Sequence, residues 1–133
     1  MTLDILLVED NEGDVEMARR ALRETDCALS VAHDGVAALE LLGRADERRP
    51  RLILLDLNMP RMDGRRFLEA IKQDQALKAI PVVMLTSSKS PADIRDCYER
   101  HASCYVVKPF GSSQFAATLR QVTHFWSGIG QLP

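Results

Sequence analysis

Asp56 closes the run Leu52-Ile53-Leu54-Leu55, and that placement demands a reason. A carboxylate at the end of a strand buried on both faces loses its water, which is costly unless something pairs with it. Two further acids, Glu9 and Asp10, follow another apolar run, Ile5-Leu6-Leu7-Val8. Thr86-Ser87 end a third run, "IPVVMLTS", and Lys108-Pro109 follow a fourth, "SCYVV". Taken singly, Asp56 is as easily a turn cap, Thr86 an ordinary strand end and Lys108 a surface lysine. Taken together, the runs deliver carboxylates, a hydroxyl and an ammonium to one rim.

Clustered carboxylates raise one another's pKa and cannot all stay ionised without a cation. A small set of hard oxygen ligands suits Mg²⁺, which keeps several waters and shares its shell with phosphate. Asp56 and Asp10 are the candidate direct ligands. Glu9 serves directly or through water, and the Asn58 backbone carbonyl completes the protein's share. A carboxylate held ionised beside Mg²⁺ and Lys108 can attack phosphorus and form an aspartyl phosphate. The metal and Lys108 then stabilise charge building on the transferring oxygens, and the Thr86 hydroxyl meets one of them. Asp56 is thus read as a phosphate acceptor.

Rival chemistries fit less well. A calcium loop counted from Asp56 has Phe67 at its twelfth position, where a glutamate is required. An aspartyl phosphatase of the haloacid dehalogenase kind wants an acid at position 58, which is Asn58. His33, His101 and His124 lie on different elements without ligand spacing. Arg48, Arg49, Arg65 and Arg66 read as solvated charges.

The elements that must position these groups alternate along the chain. Strands are expected at Asp4–Glu9, Ala28–His33, Arg51–Asp56, Ile80–Ser87 and Ser103–Val107. Helical spacing follows each: from Asp14 through Val15, Ala18 and Leu22; from Asp34 as cap to Gly43; from Gly64 with Phe67, Leu68 and Ile71; and from Ser112 with Phe115, Leu119, Val122 and Trp126 on one stripe. The fourth helix has the clearest start, with Ser90 as cap, Pro91 at the first position and Asp93 three residues after the serine. "DERRP" reads as a charged loop. Continuous apolar strands alternating with helices argue for an α/β fold, a parallel sheet covered on both faces. Such sheets bind ligands beyond the carboxyl ends of their strands.

Composition narrows the class further. A chain of 133 residues favours one domain with one core. A net charge of -2 gives no argument for nucleic acid or an anionic membrane as the main partner. The first apolar run ends in acids too soon for a signal peptide or membrane span. Cys27, Cys97 and Cys104, without CxxC spacing, point to a reducing compartment, and the cytoplasm is expected.

The motifs "LLVEDNEGD", "LILLDLNMPRMDG", "VVMLTSS" and "YVVKPF", in this order, resemble the receiver domain of bacterial two-component response regulators. The resemblance spans Leu3 to Val122. It implies a single doubly wound, flavodoxin-like sheet of five parallel strands in the order 2-1-3-4-5, with a receiver over residues 1–124 and a tail over 125–133. It places the acid pair at Glu9 and Asp10, the phosphorylated aspartate at Asp56, the switch hydroxyl at Thr86, the switch aromatic at Tyr105 and the lysine at Lys108. It also implies a cis bond between Lys108 and the structural Pro109, with Asn58 and Ser88 flanking the attacking water. The expected function is that of a phosphoacceptor, not an enzyme in its own right. It takes the group from a sensor histidine kinase and signals by a changed interaction surface.

"DCYERHASCYVVKPF" and "FWSGIGQLP" are similar to stand-alone receivers that partner bacterial phytochrome-type kinases, and His101-Ala102 stands where most receivers have Gly-Ala. A homodimer through the last helix and the apolar tail residues Phe125, Trp126, Ile129 and Leu132 is expected. Two alternatives stay open: a shuttle passing phosphate to a histidine phosphotransfer protein, and a dimerising scaffold that does not use phosphate.

Overall fold

The computed structural model describes residues 2–44 and 49–133. Part of the charged loop predicted around Asp46, including Arg48, lies outside the described residues. The strands are β1 (Leu3–Val8), β2 (Cys27–Ala32), β3 (Leu52–Leu55), β4 (Val82–Thr86) and β5 (Cys104–Val107). The helices are α1 (Glu12–Leu22), α2 (Gly35–Leu42), α3 (Gly64–Gln73), α4 (Pro91–Glu99) and α5 (Ser112–His124), and a short π-helical turn covers Phe125–Ile129. All strands pair in parallel in the order β2-β1-β3-β4-β5.

The two-residue repeat of the strands divides the core. Leu6, Val8, Ile53, Leu55, Val82 and Met84 pack with Phe67, Leu68, Ile71 and Cys97. Their neighbours Leu3, Ile5, Leu7, Leu52, Leu54, Val83 and Leu85 point the other way, onto Val15, Ala18, Leu22, Phe115 and Leu119. Alternate side chains leave opposite faces of a strand, so a run apolar at every position is buried on both. Burying one such side chain fully is worth about 1.5–3 kcal/mol. The edge strand β2 is different: Ala28 and Ser30 are exposed between half-buried neighbours.

Register brings the strand ends level. Val8 stands opposite Leu55, the Asp56 N–H donates to the Val8 carbonyl at 3.0 Å, and the Glu9 N–H donates to the Ala32 carbonyl at 2.9 Å. Thr86 stands opposite Val107, and the Lys108 N–H donates to the Thr86 carbonyl at 2.8 Å. The acids and the lysine therefore lie one step past the ladder, where sheet hydrogen bonding has ended.

Three sequence expectations change. Helix α1 begins at Glu12, two residues before Asp14, because the Asn11 side chain caps it by accepting from the Asp14 N–H at 2.9 Å. Among the described residues no peptide bond is cis, so Lys108-Pro109 is trans, the form an X–Pro bond prefers by about 0.5–1 kcal/mol. Arg65 is a paired, half-buried side chain rather than a solvated charge, because Asp93 and Asp96 project from the first turns of α4 toward it.

Candidate functional site

The site is built at the carboxyl ends of β1, β3, β4 and β5. Glu9 and Asp56 are buried at 1% and 6% exposure, whereas Asp10 is exposed. One carboxylate oxygen from each of Glu9, Asp10 and Asp56 lies within 4.8 Å of the others. That is a compact set of hard oxygen donors, open on the Asp10 side, which suits a divalent cation that keeps part of its water shell. Asn58 is exposed in the loop after β3.

Burial pushes the Glu9 carboxyl up to about 7, with Lys108 pulling the other way and Asp56 adding to the rise. A cation at the acid cluster would supply the charge that burial withholds. Lys108 reaches across from β5 and donates to Glu9 Oε1 at 2.5 Å and to Asp14 Oδ2 at 2.7 Å. Its ammonium stands 3.9 Å from Asp56 Oδ1. Burial works against the charge on Lys108, but the hydrogen bonds to Asp14 and Glu9 outweigh it, and the lysine titrates above its ordinary range.

Thr86 is fully buried, and its Oγ1 has no hydrogen-bond partner among the described residues. An unpaired buried hydroxyl costs about 1–3 kcal/mol, so a polar group arriving beside it is favoured. The orphaned oxygen is what a phosphoryl group on a neighbouring strand end would satisfy. Tyr105, half-buried on β5, donates its hydroxyl to the Ser88 carbonyl at 2.9 Å. Ser88 in turn donates to Asp93 Oδ2 at 2.6 Å. Pro109 is half-buried beside the exposed Phe110.

Backbone packing fixes Asp56. A Cβ on Gly64, the first residue of α3, would fall on the Asp56 carbonyl oxygen and within 2.8 Å of Leu57 Cα. The Gly64 N–H also donates to the Leu57 carbonyl at 2.8 Å. On the far side of the loop, Arg61 adopts φ 63 and donates to both Asp34 oxygens, at 2.8 and 3.0 Å. That bidentate pair holds the loops after β2 and β3 together.

The structure thus brings Glu9, Asp10, Asp56 and Lys108 together and puts Thr86 on the adjacent strand end. Sequence reasoning missed Asp14. Its position in the first turn of α1 became visible only once Asn11 was known to be the cap. Sequence reasoning also left Asp34–Arg61 unpaired, although Asp34 was read correctly as the α2 cap, accepting from the Ala37 N–H at 2.8 Å.

The chain belongs to the response regulator receiver domain family, whose model matches residues 5–120. It is 39% identical to the response regulator Rcp1 of Synechocystis, over 97% of this chain and 92% of that protein. It is similar to the crystal structure of the Mn²⁺-bound form of Rcp1, with a TM-score of 0.91 and 38% identity over 98% of this chain and 99% of the other. The phosphorylated cyanobacterial phytochrome response regulator RcpA superposes with a TM-score of 0.95 and 37% identity, over 100% and 99% of the two chains. Receivers as a family partner sensor histidine kinases, and the acid cluster here offers the oxygen donors that could hold a divalent metal. Among the described residues no helix is long and apolar enough to cross a membrane.

Proposed function

We propose that Asp56 accepts a phosphoryl group from a phosphohistidine on a sensor kinase of the bacterial phytochrome type, with Mg²⁺ at Glu9, Asp10, Asp56 and the Asn58 carbonyl. The observation that carries the reading is the acid cluster, whose oxygens lie within 4.8 Å of one another, beside a strand end whose buried Thr86 hydroxyl has no hydrogen-bond partner among the described residues. Mg²⁺, when bound, screens the Asp56 carboxylate from the incoming phosphate and neutralises charge on the transferring oxygens. The chain's own groups do the rest. Asp56 supplies the nucleophilic oxygen, Lys108 pairs with a phosphoryl oxygen, and Thr86 Oγ1 donates to another. Asn58 and Ser88 flank the path of the water that later hydrolyses the acyl phosphate.

The output follows from two-state logic. Phosphate on Asp56 draws Thr86 toward it, Tyr105 rotates into the space released, and the face formed by α4, β5 and α5 changes. The phosphoryl group shifts this equilibrium only by its preference for one state. The phytochrome assignment is supported by the likeness to Rcp1 and to the phytochrome response regulator RcpA along nearly the whole chain. A cytoplasmic location fits such a partner.

The test is intact-protein mass after incubation with Mg²⁺ and phosphoramidate, alongside Asp56→Asn. The reading expects a gain of one phosphoryl group in the wild type alone, lost on chelation. No gain with a donor active on another receiver, or an equal gain in Asp56→Asn, contradicts it.

We also propose that residues 1–124 form the receiver and that 125–133 act as a tail contacting a second copy. In support, Trp126 and Leu132 pack onto the core, while Phe125 and Ile129 stay 45% and 64% exposed. Exposed apolar groups clustered at one end of a fold favour self-association.

A further inference from the structure

We infer that Asp14 is a positioning residue that parks Lys108 away from Asp56 and so sets how readily the lysine engages a phosphoryl group there. The inference rests on the reading of Asp56 as the phosphoryl acceptor. An ammonium has three N–H donors. Lys108 spends two of them on Glu9 at 2.5 Å and Asp14 at 2.7 Å, while Asp56 stands off at 3.9 Å. To hydrogen-bond Asp56 Oδ1 the ammonium must move by roughly 1 Å, and that movement stretches one of its two bonds.

The two partners are not equivalent. The Glu9 side chain is 2% exposed, so it cannot turn to water when the lysine leaves. The Asp14 side chain is 21% exposed and can turn to water. Its backbone is held separately, since the Asp14 N–H donates to the Asn11 cap at 2.9 Å, so the carboxylate can release Lys108 without unwinding α1. Asp14 is therefore the bond that yields, and its strength opposes engagement of Lys108 at Asp56. Removing the Asp14 charge makes the lysine more available to a tetrahedral anion on Asp56.

Equilibrium binding of beryllium fluoride in the presence of Mg²⁺, followed by calorimetry, tests this. The set comprises wild type, Asp14→Asn, Asp14→Ala and Glu12→Gln, with Asp14→Asn repeated on Lys108→Ala. Glu12 controls for general field effects: it lies on the same helical turn, its side chain is 80% exposed, and it stands 3.5 Å from His33 Nδ1 rather than against Lys108. Both Asp14 variants are expected to bind roughly tenfold tighter or more, the scale of releasing one hydrogen bond to a charged group. Glu12→Gln should match the wild type, and the Asp14→Asn gain should vanish on Lys108→Ala. Unchanged or weaker binding in the Asp14 variants overturns the inference and leaves Asp56 as acceptor. An equal gain in Glu12→Gln, or a gain that persists without Lys108, also overturns it, because the effect is then a general one of charge. A wild type that binds no beryllium fluoride sinks the reading of Asp56 itself, and the inference with it.

Discussion

Glu9 gives the site its pH signature. Its carboxyl ordinarily titrates at 4.5, and burial raises it to about 7 in the fold. Between those values the metal-free folded protein holds a proton that the unfolded chain does not. The stability this contributes is fully present below 4.5 and is lost as pH rises through about 7. Divalent cations compete with that proton, so Mg²⁺ affinity should climb between pH 6 and 8, with proton release in calorimetry. A flat profile would show that Glu9 is ionised without metal. Gly64→Ala should cost about 1–3 kcal/mol in denaturant melts, because the new methyl displaces the Asp56 backbone. The same variant should accept phosphate more slowly, whereas Gly43→Ala, at the far end of α2, should not. At this scale the sequence was informative where chemistry coincides with a strand end, as at Asp56 and Lys108. It was silent on Asp14, whose partner lies 94 residues away on another element.

Helix α4 is tied to α3 by two arginines. Arg65 pairs with Asp93 and, at 2.7 Å, with Asp96, while Arg100 pairs with Glu69 and, at 3.1 Å, with Asp96. Ser88 joins this clamp to Tyr105, since its hydroxyl donates to Asp93 and its carbonyl accepts from the tyrosine. Arg65→Ala should therefore speed amide exchange across Pro91–Glu99 while leaving β1 protected. Unchanged α4 exchange would show that the clamp does not hold the helix. The turn after α4 carries a second signature. His101 takes φ 72, the left-handed conformation, and ends the helix with its N–H donating to the Tyr98 carbonyl at 3.0 Å. A non-glycine residue pays for that conformation, so His101→Gly should raise stability by up to about 1 kcal/mol in a thermal melt.

Element boundaries were legible to within a residue or two, because caps such as Asp34 and Ser90 are local signals. The α3–α4 clamp was not, because an arginine on an isolated helix gives no sign of which neighbour it will meet.

The whole molecule is one sheet with two differently occupied faces, and this was readable from strands apolar at every position. The tail was readable only in part. Phe125 and Trp126 meet edge to face at 5.2 Å, and Trp126 turns onto the core while Phe125 does not. Phe125→Ser with Ile129→Ser should shift sedimentation toward the monomer without lowering the melting temperature. A monomeric wild type, or no shift, would remove the tail from any interface.

The central claim, that Asp56 carries the phosphoryl group, is tested most directly by trapping it in place. Borohydride reduces an acyl phosphate to an alcohol, so phosphorylated protein treated with it and then digested should carry homoserine at position 56 and nowhere else. Modification at Asp10, at Glu9 or at no residue, despite a mass gain on the intact chain, would contradict the account.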